Sequence, residues 1–161
     1  MRLVDYDVVH WPTDRTDIEA AVTIGHVGIS NKMIDALPKL RGIVCFGVGV
    51  DGLDLAHCKA RGVAIAHGRD INHEDVADVA MGLMISCARN IAAGDRLIRD
   101  GKWLTLGSLP PPRRLGARKL GIVGLGAIGD AIARRAEAFG MEIAWHGPRP
   151  KQVAWRYEPN L

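Results

Sequence analysis

Short β-branched runs alternate with amphipathic stretches along most of this chain. Ala20–Ile24 is apolar and is followed by Gly25, which predicts a buried strand. Ser30 can cap a short helix whose apolar positions are Met33, Ile34 and Leu37, with Pro38 closing it. Ile43-Val44-Cys45-Phe46 predicts a second buried strand, leading into Gly47-Val48-Gly49. Asp54 then caps a helix through Ala60, Gly62 stops it, and residues 63–66 form a third strand. The longest pattern starts near Asn72. Val76, Val79, Ala80, Leu83, Cys87 and Ile91 recur at three- and four-residue steps, which predicts one long helix with that face packed. Gly94 is tolerated within it and Gly101 ends it. Residues 101–116, with Gly107 and Pro110-Pro111-Pro112, read as a linker. Beyond the linker the alternation restarts with strand Lys119–Val123, helix Ala127–Ala138 and a strand over 142–145. Strands alternating with helices predict a parallel α/β sheet.

At 161 residues the chain suits one domain or two small ones. Its 48% hydrophobic and 24% charged residues are those of an ordinary globular protein. No apolar run approaches the ~20 residues that span a bilayer, and the opening Met1-Arg2-Leu3-Val4-Asp5-Tyr6-Asp7 has no basic region followed by an apolar core, so no secretory signal is expected there. A net charge of +3 argues for no nucleic-acid partner. Arg113, Arg114, Arg118 and Lys119 read as a solvated loop. Cys45, Cys58 and Cys87 are odd in number, widely spaced and set among apolar neighbours, the pattern of reduced, buried thiols in a cytoplasmic protein. His73-Glu74-Asp75 resembles a ligand cluster only on paper, because adjacent helical residues point apart. First-turn acids favoured by the helix dipole account for it.

Gly124-Leu125-Gly126-Ala127-Ile128-Gly129 is a G-x-G-x-x-G between a β-branched strand and a helix. Gly124 allows a tight turn, Gly126 lets backbone approach a pyrophosphate, and Gly129 lets the helix pack close to the strand. First-turn amides around Ala127 and Ile128 would face the phosphates, with the helix dipole behind them. An NAD site places Asp or Glu about 20 residues past the glycines. Here Trp145-His146-Gly147-Pro148-Arg149 holds no carboxylate, and Arg149 can pair with a 2′-phosphate. NADP is therefore expected over NAD.

With these landmarks in order, the chain resembles a D-isomer-specific 2-hydroxyacid dehydrogenase from about Ala20 onward, of the hydroxypyruvate/glyoxylate reductase type. The resemblance rests on Leu37-Pro38-Lys39-Leu40 leading to Gly47-Val48-Gly49-Val50-Asp51, and on Arg61-Gly62-Val63. It rests equally on Asp75-Val76-Ala77-Asp78-Val79-Ala80, Gly101-Lys102-Trp103, the glycine motif and Phe139-Gly140-Met141. It implies an incomplete flavodoxin-like substrate domain over 1–98, including most of a hinge helix. A linker and the first β-α-β unit of a Rossmann dinucleotide-binding domain follow over 99–161. It implies that Val48 and Gly49 offer amides to a substrate carboxylate, and that Val76 lies against the nicotinamide. The cofactor-binding set is then Val76, Gly124, Leu125, Gly126, Ala127, Ile128, Gly129 and Arg149.

The implied reaction is NAD(P)-dependent reduction of small 2-keto acids to D-2-hydroxy acids. His67-Gly68-Arg69 stands where the family commonly has Asn-Thr-Pro. Family members run roughly twice as far, and their substrate-clamping Arg and their His–Glu pair lie downstream of Leu161. The 161 residues are thus expected to hold no catalytic residue and to be inactive alone. The alternatives are a non-catalytic dinucleotide-binding module, or a remnant that pairs with a full-length relative. Open sheet edges and the hinge helix favour a homodimer or association with a complementary chain.

Overall fold

The computed structural model describes residues 16–103 and 109–160. Most of residues 1–19, and Gly107 of the expected linker, lie outside the described residues. Two compact units divide between Ile71 and Asn72. Residues 72–98, grouped by the sequence reading with the first domain, pack with the second unit.

In the first unit, β1 (Ala20–Ile24), β2 (Gly42–Phe46) and β3 (Ala64–His67) form a parallel sheet in that order. Helices α1 (Asn31–Asp35) and α2 (Leu55–Ala60) connect them. Both caps form as the side chains dictate. Ser30 Oγ accepts from the Met33 amide at 3.3 Å, and Asp54 Oδ1 accepts from the His57 amide at 3.0 Å. The His57 amide, then the Asn31 side chain, hold the Asp54 carboxyl below its ordinary range. The Arg61 guanidinium donates to the Ile34 and Leu37 carbonyls, tying the end of α2 to that of α1. Ile34, Leu37, Ile43, Cys45 and Cys58 are the centre of the core. Register sets Ala21, Ile43 and Ile65 side by side on the covered face of the sheet. On the opposite face Val22 is 68% and Phe46 76% exposed, beside exposed Ile24 and Val44. Parallel sheets are ordinarily covered on both faces, so this bare face is an unusual apolar surface.

The second unit comprises α3 (His73–Arg89), α4 (Ile91–Arg99), β4 (Lys119–Val123), α5 (Ala127–Ala138), β5 (Glu142–His146) and β6 (Arg156–Tyr157). Its three strands are parallel in the order β4-β5-β6. The short third strand corrects the expectation of a two-stranded β-α-β unit. Trp145 is its anchor: 2% exposed, with its ring 4.8 Å from that of Tyr157 on the neighbouring strand.

The expected continuous helix is also corrected. It breaks at Asn90, which adopts the left-handed conformation (φ 57°), and α3 and α4 meet at 62°. Asparagine tolerates that conformation, and here its side-chain amide donates to the Pro110 carbonyl at 2.7 Å. The packed face differs too. Val76, Val79, Leu83 and Cys87 are exposed, so Cys87 is not the buried thiol expected, whereas Ala77 and Met81 are buried, with Met84 packed on the cluster that holds Met81. The packed face is set by α5, which lies against α3 and whose Ala133 and Ala136 share an apolar cluster with Met81. No single helix among the described residues is long and apolar enough to cross a membrane.

Candidate functional site

The site is built on the turn between β4 and α5. Gly124 has φ +93°, a conformation that L side chains rarely adopt. A Cβ on Gly129 would stand 2.2 Å from the Gly124 carbonyl oxygen, so helix and strand touch there through bare backbone. A Cβ on Gly126 would meet nothing within 4 Å. Gly126 is the N-cap of α5 and lines a cavity of about 380 Å³. Each glycine thus has a separate physical reason. The third closes the packing, the first turns the chain, and the second leaves a cradle that any other residue would fill.

Among the described residues no side chain caps α5, and its first-turn amides point toward the cavity end with the positive end of the helix dipole. This arrangement fits the pyrophosphate of a dinucleotide. Leu125, Gly126 and Ala127 line the cavity; Leu125 is buried and Ile128 is exposed. His73, from the first turn of α3, forms another wall. Val76 is exposed one turn further on and is not among the lining residues.

The cavity's charges are unequal. Arg134 lines it, but its guanidinium is 2.9 Å from Glu74 and 3.1 Å from Asp130. Lys151 also lines it, and its ammonium donates to the Leu125 carbonyl, a neutral acceptor. Among the described residues no carboxylate reaches Lys151. An entering anion therefore finds Lys151 as the cation that no acid has neutralised. Arg149 stands exposed just past β5, with no acid partner among the described residues, and does not line the cavity. The backbone of Glu158 runs beside the end of β5. Its amide donates to the Trp145 carbonyl at 2.8 Å, and its side chain pairs with Arg156.

Sequence reasoning missed Lys151, although a cation two residues past Arg149 on the same loop was a usable signal. It also missed the partners of Glu74. The carboxylate is held below its ordinary pKa by hydrogen bonds from Arg135 and then Arg134. The helix dipole was therefore an incomplete account of that acid.

In the first unit, Val48 and Gly49 lie in an exposed turn beyond β2. The Gly52 amide donates to the Gly25 carbonyl at 2.8 Å and the Gly68 amide to the Gly47 carbonyl at 2.7 Å, pinning this turn at both ends. A Cβ on Gly25 would stand 1.9 Å from the Gly49 oxygen, so the close crossing depends on glycine. The amides of Val48 and Gly49 make no hydrogen bond among the described residues.

Comparison with known proteins adds the following. Residues 81–160 match the family model of the D-isomer specific 2-hydroxyacid dehydrogenase, NAD binding domain. A glyoxylate/hydroxypyruvate reductase of Arabidopsis thaliana is 38% identical over 152 residues, which is 94% of this chain and 47% of that protein. The 2-ketogluconate reductase of Gluconobacter oxydans is 38% identical over 146 residues, 89% of this chain and 46% of that protein. Among solved structures, an NADPH-dependent glyoxylate/hydroxypyruvate reductase of Sinorhizobium meliloti superposes with a TM-score of 0.84 at 36% identity. That match covers 96% of this chain and 49% of the other. The chain spans about half the length of the curated relatives it matches.

Proposed function

The chain belongs to the D-isomer-specific 2-hydroxyacid dehydrogenase family, and on that premise we propose that it serves the NADPH-dependent reduction of a small 2-keto acid of the glyoxylate or hydroxypyruvate class. The observation that carries this reading is the β4–α5 turn. Its second glycine leaves an open cradle at a cavity whose one un-neutralised cation, among the described residues, is Lys151. When bound, the dinucleotide supplies the hydride. The chain's own residues bind and orient it. Backbone at Gly126, Ala127 and Ile128 meets the pyrophosphate, Lys151 adds a positive charge at that anion, and Val76 borders the nicotinamide.

NADP(H) is the proposed form. Support comes from two basic residues, Arg149 and Lys151, on the loop after β5, and from an acid, Glu158, already engaged by Arg156. A 2′-phosphate seeks a planar cationic fork, and a free carboxylate would repel it. Val48 and Gly49 are proposed to take the substrate carboxylate, because two unengaged amides in a pinned turn form an anion-binding concavity.

A reducing, cytoplasmic setting is proposed from the three unpaired thiols. Self-association, or pairing with a complementary chain, is proposed through the exposed stripe of α3, where Val79 and Leu83 are each 61% exposed. A sedimentation experiment showing only monomer would remove that part. The cofactor reading is tested by titrating the wild-type protein and R149A with NADPH and NADH. An equal loss for both nucleotides in the variant would show that Arg149 does not read the 2′-phosphate.

A further inference from the structure

Among the described residues of the second unit, the densest set of charged contacts lies between α3 and α5. Glu74, in the first turn of α3, holds two consecutive residues of α5 with one carboxylate. Oε1 is 2.9 Å from Arg134 Nη2, and Oε2 is 2.6 Å from Arg135 Nη1. Arg135 also reaches Asp78 Oδ1 at 2.7 Å through Nε, and donates to the Glu74 carbonyl at 3.4 Å. Arg134 reaches Asp130 at 3.1 Å, and His73 Nε2 stands 3.4 Å from Glu74 Oε1. Residues 60 and 61 positions apart in sequence are thus joined by one side chain.

Stability alone explains this poorly. Exposed ion pairs contribute little, and Glu74 is about half exposed. Position explains it better. The apolar part of the α3–α5 contact includes small side chains: Ala133 and Ala136 of α5 are buried in one cluster with Met81, and Ala77 of α3 is fully buried. Alanine faces have few ridges with which to fix the register of two helices. A charged side chain gripping two neighbouring guanidiniums does fix it, since a slip of one turn would move it by ~5.4 Å. The grip also sits where register matters most, because His73 and Arg134 are both walls of the phosphate cavity.

We propose that Glu74 is a positioning residue for cofactor binding. Through Arg134 and Arg135 it holds the first turn of α3, with His73, at a fixed place on the wall of the cavity at the β4–α5 turn. The inference rests on the dinucleotide reading above and adds a residue that acts through others rather than by touching the nucleotide.

The test compares E74Q, E74D and D78N with the wild-type protein, reading NADPH dissociation constants by fluorescence and melting temperatures in parallel. Asp78 pairs with the same Arg135 and is more exposed, so D78N removes a comparable ion pair without touching Arg134. E74Q is expected to raise the dissociation constant about three- to tenfold. E74D should recover part of that loss, and D78N should stay within about twofold of wild type. An unmoved dissociation constant in E74Q, or an equal rise in D78N, overturns the positioning role while leaving the cofactor reading intact. So does failure of E74D to recover any affinity. A wild-type protein that binds no NADPH overturns both.

Discussion

Replacing Lys151 with alanine removes the one cavity cation that has no carboxylate beside it among the described residues. A charge-assisted hydrogen bond to phosphate contributes about 1.5–3 kcal/mol. Against that stands the bond Lys151 gives up, its donation to the Leu125 carbonyl, which as a hydrogen bond contributes about 0.5–1.5 kcal/mol. The difference leaves about 1–2 kcal/mol, so the nucleotide dissociation constant should rise about 5- to 30-fold. Because the lysine reaches the backbone of the glycine turn, the pyrophosphate is the group within its range, and both NADPH and NADH should suffer. Isothermal titration of wild type, K151A and K151R with each nucleotide, at low and high salt, reads this directly. K151R should keep most of the affinity, and K151A should show the shallower salt dependence. Unchanged binding of both nucleotides in K151A, with the fold intact, would refute the assignment of the phosphate site to this cavity.

Three further outcomes follow from the same geometry. R149A should weaken NADPH binding about tenfold and leave NADH nearly unaltered, as measured by competitive fluorescence titration. The second and third glycines should separate binding from stability. G129A drives a Cβ to 2.2 Å from the Gly124 oxygen and should cost about 1–3 kcal/mol in denaturant unfolding. G126A meets nothing within 4 Å and should melt like wild type while losing nucleotide binding. The bare face of the first sheet, where Phe46 is 76% exposed, should bind a hydrophobic dye in the 161-residue polypeptide, and F46S should reduce the signal.

The parts legible in the sequence were those with local causes. Ser30 and Asp54 cap the helices expected of them because a cap needs only the next three residues. The glycine turn was legible because strand, turn and helix are contiguous. What stayed hidden is held by residues far apart. The apolar period runs straight through Asn90, and nothing nearby announces that its side chain will bond the Pro110 carbonyl and let the helix turn. On α3, periodicity marked Val76, Val79 and Leu83, whereas the buried residues are Ala77 and Met81, the latter clustered with Ala133 and Ala136 of α5. Strand β6 is two residues long and follows no helix, so its pattern is too short to read; the tilted ring contact of Tyr157 with Trp145 makes it visible. The charges of Glu74, Arg134 and Arg135 meet across about 60 positions, beyond any spacing rule.

The claim at the centre of this account is that the cavity at the β4–α5 turn takes NADP(H) through its phosphates. The most direct measurement is a calorimetric titration of the wild-type protein with NADPH and NADH, repeated with G126A. Saturable binding with NADPH tighter than NADH by about tenfold or more, abolished in a folded G126A, is the predicted result. NADH tighter than NADPH, or binding that survives G126A undiminished, would contradict it.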